Sequence, residues 1–326
     1  MDRRAFITLV GGSILAAPLA TEAQQAGKVY RVGFLGNNSI PLQSSQWQRF
    51  LGVFREAGLV EGQHVVFERR FAEGQAERYP VLVADLAAQR LNLMVTAGVP
   101  AATAAREAMP SMPIVAVMAD LVSTGFAATI ARPGGNVTGF SYMTPEVSAK
   151  RLEFLREAAP QAFRIGVLWN PGNKHEPKVM EAVEAAARQL QVQLQPVEVR
   201  SVAEYEAAFD KLRSRRGDAL IVFENFLNNA HSQRIADLAL TSHLPTIFEL
   251  SSFVAAGGLI SYGPTPEEWF SVLASQAVKI LRGARPAEIP VQQPTRFELT
   301  INLKTAKALG ITIPPSLLGR ADQLIQ

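Results

Sequence analysis

The run YRVGFLGN at residues 30–37 returns as FRIGVLWN at residues 163–170. Each is a short apolar stretch with β-branched residues at its centre, and each ends at an asparagine, as a buried strand does before a turn. What surrounds the two copies decides the fold. After the first, Trp47, Phe50, Leu51 and Phe54 recur at helical spacing and Gly58 stops the helix. Then come a strand over 64–71, a helix over 79–89, a strand over 91–96, a helix opened by Pro100, and a strand over 114–118 that closes at Ala119-Asp120. After the second copy come a helix over 176–190, a strand over 193–199, a helix over 204–213, and apolar runs over 219–223 and 243–248. The echoes keep an offset of about 130 residues, the scale of one domain.

Strands that alternate with helices make a doubly wound parallel sheet, and the repeat makes two of them. The expected fold class is therefore α/β, with two lobes joined by three hinge crossings. The crossings are expected where proline stands beside extended chain: residues 141–145, 262–266 and 287–290. The first lobe is then 29–141 plus 265–288, and the second 142–264 plus 289–326. Such a clamp binds a ligand between its lobes, beyond the carboxyl ends of the strands.

The N-terminus reads as an export signal. Arg3 and Arg4 precede an apolar stretch over 7–20, and Thr21-Glu22-Ala23 supplies the small residues of a cleavage site after Ala23. Arg3-Arg4-Ala5-Phe6-Ile7 fits the twin-arginine pattern, with an ordinary Sec signal as the alternative. The sequence contains no cysteine, so no lipid can be attached at the cleavage site and no disulfide or thiolate chemistry is available. A soluble, unlipidated periplasmic protein is expected. The net charge of +3 is unchanged by removing residues 1–23 and is too mild to imply nucleic acid or an anionic membrane.

Enzyme signatures are missing from the sequence. It has no P-loop, no dinucleotide fingerprint after the first strand and no nucleophile elbow. His64, His175, His231 and His243 show no metal spacing, so no metal or cofactor is expected. His175 lies just past a strand end, within reach of the cleft, but reads first as a loop residue. Glu267 and Glu268 read as the acidic start of a helix.

Strand ends nominate the site. The first lobe offers Asn37, Asn38, Ser39, Thr96, Gly98, Val99 and Asp120; the second offers Asn170, Phe223, Glu224, Asn225 and Glu249. Tyr262 lies beside the second crossing. The helix opened by Val99-Pro100 has free N–H groups for a carboxylate, and Asp120 or Glu224 could take an ammonium group. Phe223, Phe226 or Tyr262 could cover an apolar body. An aromatic or branched amino acid is the leading ligand.

The stretches IARPGGNVTGF, VAAGGLISYG and INLKTAKALGITIPPSLLGRADQLI resemble the family of ABC-transporter substrate-binding proteins that includes tryptophan-binding members. The resemblance runs from Arg31 to Ile325. It implies the type I periplasmic-binding fold and delivery of a captured small molecule to a permease driven by a separate ATPase. A monomer is expected. Where the family pattern has Asp-Pro-Val, this chain has Asp120-Leu121-Val122, so a different ligand-facing loop is expected there and the family's ligand is not assumed. A sensor that docks on a membrane kinase would use the same clamp, and an enzyme on the same fold is the remaining class.

Overall fold

The computed structural model of the chain describes residues 29–142, 145–173 and 175–326. The expected export signal, and Met143-Thr144 of the first crossing, lie outside the described residues.

The first lobe is a five-stranded sheet in the order β2-β1-β3-β4-β5, parallel throughout. Its strands are β1 (Tyr30–Gly36), β2 (Val65–Phe71), β3 (Leu93–Ala97), β4 (Ile114–Met118) and β5 (Val137–Ser141). The second lobe repeats that order as β7-β6-β8-β9-β10, with β6 (Arg164–Trp169), β7 (Gln193–Glu198), β8 (Ala219–Val222), β9 (Thr246–Phe248) and β10 (Ile260–Pro264). Beyond β10 it adds β11 (Phe297–Asn302), antiparallel, and then β12 (Gln323–Ile325). The central strands are buried along their length because helices cover both faces, which is why they read as unbroken apolar runs. The outer strands β2 and β7 carry Glu68, Arg69, Arg70 and Pro196, residues an edge tolerates.

The repeated glycine of the two copies has the same reason in both lobes. A Cβ on Gly33 would lie 2.5 Å from Leu91 Cδ1, and one on Gly166 would lie 2.6 Å from Leu212 Cδ2. In each case a leucine packs directly onto the innermost strand.

Helix α1 (Ser45–Glu56) is capped by Ser44, whose hydroxyl accepts from the Trp47 amide, and it buries Trp47, Phe50 and Phe54. Trp47 and Phe50 stack on each other, and the three rings pack edge-to-face against Phe34 or Phe67. Further helices of this lobe are α2 (Tyr79–Ala88) and α3 (Val99–Ala108). The second lobe holds α4 (Pro145–Ala158), α5 (Glu176–Gln189), α6 (Tyr205–Ser214), α7 (Phe226–Ala230), α8 (Ser232–Thr241) and α9 (Ser251–Ala255). The chain then crosses back as α10 (Pro266–Leu281), which seals the first lobe. Phe270 stacks on Phe34, Arg49 Nε donates to Ser271 Oγ at 2.8 Å, and Arg282 donates to the Ala57 carbonyl at 2.7 Å. Two short helices, α11 (Leu303–Ala308) and α12 (Pro315–Leu318), finish the second lobe.

The third crossing falls later than the expected boundary at 288/289. Residues 289–292 run along β5: the Thr138 hydroxyl donates to the Ile289 carbonyl at 2.7 Å, and the Gln292 amide donates to the Gly139 carbonyl at 2.9 Å. Only beyond Gln292 does the chain leave for β11. Glu268 pins that departure, accepting from the Thr295 amide at 2.9 Å and its hydroxyl at 2.6 Å. The acidic start of α10 thus ties the second crossing to the third.

Candidate functional site

Both sheets reverse their winding next to the innermost strand, so the carboxyl ends of β1, β3, β6 and β8 open a crevice. The crevices of the two lobes face each other and make one cleft of about 960 Å³, large enough for a small organic solute. The lobes touch across it. The ring of Tyr79, on α2, lies 6.0 Å from that of Phe226, on α7, and a Cβ on Gly74 would come within 3.3 Å of Ala230 Cβ.

The second-lobe wall carries the charge. Glu224 follows β8, is 4% exposed, and accepts from Asn229 Nδ2. The Tyr142 hydroxyl, just after β5, acts on the same carboxylate and draws its pKa down. Burial pushes the Glu224 carboxyl above its ordinary range, against the pull of Tyr142, Asn229 and Arg151. Behind it, Arg151 Nη2 on α4 stands 3.0 Å from Glu249 Oε1, off the line of a hydrogen bond, with both side chains almost wholly buried. Arg151 is fixed by donating to the Tyr262 carbonyl at 2.7 Å and to Ser148 Oγ at 3.0 Å. Burial raises the Glu249 carboxyl to about 7, with Arg151 opposing and the neighbouring Glu224 adding to the rise. Two carboxylates thus share one guanidinium in a buried cluster.

Next along the sheet, Glu176 is fully buried at the start of α5. It accepts from the Asn170 amide at 2.7 Å, Asn173 Nδ2 at 3.2 Å and Asn225 Nδ2 at 2.9 Å. Burial still raises its carboxyl to about 8. This one side chain binds the loop after β6 to the loop after β8. Beside it, His175 is 4% exposed and lines the cleft, and neither ring nitrogen has a hydrogen-bond partner among the described residues. Burial lowers the imidazole to about 4, and the Asp120 charge opposes.

The first-lobe wall is made of turns, amides and rings. Asn37 lines the cleft while its Oδ1 accepts from the Gly74 amide at 2.8 Å. Asn38 and Ser39 are exposed to the cleft. Gly98, at φ +92°, turns the chain into α3, whose first amides have no acceptor within the helix. Trp269 and Phe270 of α10 add apolar surface beside Phe34, and Phe226 and Leu250 add it from the second lobe.

Residues 44–325 match the ABC transporter substrate binding protein family. The chain belongs to that family. A curated tyrosine-binding protein from Clostridioides difficile is 23% identical over 264 residues, 80% of this chain and 75% of that protein. Among solved structures, a conserved domain protein from Vibrio cholerae and an ABC domain in complex with L-Trp from Streptococcus pneumonia each reach a TM-score of 0.82 at 24% identity. Each comparison covers 91% of this chain and 100% of the other. A ligand-free, open substrate-binding protein with adhesive properties from Clostridium difficile gives 0.68 at 22%, covering 91% and 99%. At these identities the structural likeness carries the type I periplasmic-binding fold, and the family is one of solute-binding proteins rather than enzymes. No helix among the described residues is long and apolar enough to cross a membrane.

In this substrate-binding protein the strand-end residues divide into two groups. Asn37, Asn38, Ser39, Gly98, Val99, Asn170, Glu224 and Asn225 line the cleft. Asn170 and Asn225 also build its walls, since Asn225 Oδ1 caps α7 by accepting from the Asn228 amide at 2.8 Å. Thr96, Asp120, Phe223, Glu249 and Tyr262 lie outside the lining. Thr96 is fully buried within β3. Asp120 Oδ1 accepts from the Val122 and Ser123 amides at 2.8 and 3.2 Å, so it shapes its own turn. Phe223 turns into the core while the next residue, Glu224, turns into the cleft, as alternation along an extended chain requires. Glu249 sits behind the wall on Arg151, and the Tyr262 ring lies between Phe154 and Phe297. Leu121, at the departure from the family pattern, donates its amide to Ser141 Oγ at 3.0 Å beside the first crossing, a bond proline could not make. Tyr142 and Trp269 are wall residues outside the strand-end set, and His175, which lies just past a strand end and reads first as a loop residue, also lines the cleft. Extending that rule to β5 would have reached Tyr142; Trp269 comes from a helix that returns from far along the chain and left no local signal.

Proposed function

We propose that this protein captures an amino acid with an aromatic or branched side chain in the periplasm and hands it to an ABC-importer permease powered by a separate ATPase. The observation that carries the ligand class is the charge count on the second-lobe wall. Glu224 and Glu249 are buried together, and Arg151 is the one cation among the described residues that acts on both. With both carboxyls ionised the cluster holds one negative charge too many, and a desolvated charge of that kind calls for a counter-ion. The solute's ammonium group fits at Glu224, which faces the cleft. The free amides at the start of α3 suit its carboxylate. Phe226, Trp269 and Phe270 suit an apolar body. The tyrosine-binding relative and the fold neighbour with bound L-Trp support the same class.

The mature chain begins near Gln24 under this reading, works as a monomer, and closes its lobes on the ligand. Mass spectrometry of small molecules released on denaturing the protein purified from its native periplasm tests the assignment. An α-amino acid in near-stoichiometric amount supports it. A bound sugar, or an anion with no amine, overturns it.

A further inference from the structure

His175 has the properties of a ligand group that the charge cluster leaves unused. It is 4% exposed, it lines the cleft, and Nδ1 and Nε2 both lack a hydrogen-bond partner among the described residues. A neutral imidazole offers one donor and one acceptor, and burying both unpaired is unfavourable unless something arrives to pair them. The backbone that carries the ring is also held where it is. His175 immediately precedes α5, its carbonyl accepts from the Lys178 and Val179 amides at 3.1 and 3.3 Å, and its neighbour Glu176 is fixed by three donors from two loops. Asp120, whose charge reaches the ring, has its Oδ1 engaged with turn amides and makes no bond to the imidazole. A buried, unpaired donor–acceptor carried on a fixed backbone at a cleft wall is the arrangement expected of a ligand contact.

We infer that His175 reads the side chain of the bound amino acid, pairing with a hydroxyl or ring N–H there, so that the cleft prefers a hydrogen-bonding aromatic side chain to a hydrocarbon one of the same size. The inference rests on the amino-acid reading above. The head group is otherwise provided for: Glu224 suits the ammonium, and the α3 amides suit the carboxylate. His175 stands one strand further along the sheet, after β6 rather than β8. Burial keeps its ring neutral near pH 7, which makes it a weak partner for an anion and a good one for a neutral phenol or indole. A hydrocarbon side chain would leave both nitrogens unpaired, and sites built to pair a polar group reject analogues that lack it.

The test is calorimetric titration of L-tyrosine, L-tryptophan and L-phenylalanine into the parent protein, His175→Leu and His175→Gln. The parent should bind tyrosine or tryptophan about tenfold or more tighter than phenylalanine. His175→Leu should bring that ratio close to one, and His175→Gln, which keeps a donor and an acceptor, should restore much of it. An unchanged ratio in His175→Leu overturns the inference. So does an equal loss for all three amino acids, which would put the ring on the head group. Failure of the parent to bind any amino acid removes the reading on which the inference rests, whereas binding with no His175-dependent selectivity removes the inference alone.

Discussion

The two lobes share one strand order and differ in what they bury. The first is built around an aromatic cluster of Phe34, Trp47, Phe50, Phe54 and Phe67, closed by Phe270 from α10. Every buried residue with a carboxylate, guanidinium or imidazole among the described residues lies in the second: Arg151, His175, Glu176, Glu224 and Glu249. The shared topology determines where the cleft is. The residues placed at the strand ends determine what each wall can recognise, and here the walls divide the work. The first wall holds turns, rings and the free amides of α3, and the second holds the buried charged side chains.

The largest effect that would separate the walls is on stability. Arg151→Ala leaves Glu249 buried without its counter-ion and should lower the unfolding free energy by about 3–5 kcal/mol in urea denaturation. Replacing both partners, as Arg151→Met with Glu249→Leu, should recover most of that loss. If Arg151→Ala unfolds like the parent, the second lobe does not hold its charges dry and the contrast fails.

A smaller effect should follow pH. The folded-state pKa of Glu249 is raised to about 7 and that of Glu176 to about 8, both from an ordinary value of 4.5. A carboxyl raised by folding contributes stability fully below pH 4.5 and loses it as pH rises through the folded value. His175 runs the other way: lowered from 6.5 to about 4, its contribution is complete above pH 6.5 and is lost as pH falls through 4. The unliganded protein should therefore lose thermal stability between pH 4.5 and 8 from the two carboxyls, and Glu249→Gln should remove part of that slope. An ammonium ligand needs an ionised carboxylate, so binding near pH 6 should release protons, visible as a dependence of calorimetric heat on buffer ionisation enthalpy. A flat stability profile with no proton release would contradict the burial argument.

The smallest expected effect concerns the contact between walls. Tyr79→Ala removes the ring that meets Phe226 across the cleft and should weaken ligand affinity by about 1 kcal/mol, with most of the change in dissociation rate. Stopped-flow release of a bound amino acid would measure it, and an unchanged rate would mean that the contact plays no part in holding the lobes closed.

The sequence made the sheets legible because their signals are local. Apolar runs such as 114–118 have no other reading once the flanking helices are seen, and the two glycine-marked copies exposed the repeat. The crossings were less visible. Residues 289–292 look like a proline-bearing linker, yet they pair with β5 through long-range hydrogen bonds that no local pattern records. In the site, the strand-end rule reached Glu224 and Gly98 but also swept in Phe223 and Asp120. Whether a strand-end side chain faces the cleft depends on pleat phase and on which turn follows, and a shift of one residue exchanges Phe223 for Glu224. His175 was undervalued because the spacing of lone histidines carries no information; its burial and its unpaired nitrogens emerge only in three dimensions.

The central claim is that Glu224 receives the solute's ammonium group. Calorimetry with L-tyrosine and with 3-(4-hydroxyphenyl)propionate, which lacks only the amine, tests it on the parent and on Glu224→Gln. The parent should bind tyrosine and reject the deaminated acid, and Glu224→Gln should weaken tyrosine binding by about 2–4 kcal/mol while leaving little discrimination between the two. Equal affinity of the parent for both compounds, or a Glu224→Gln variant that still requires the amine, would contradict it.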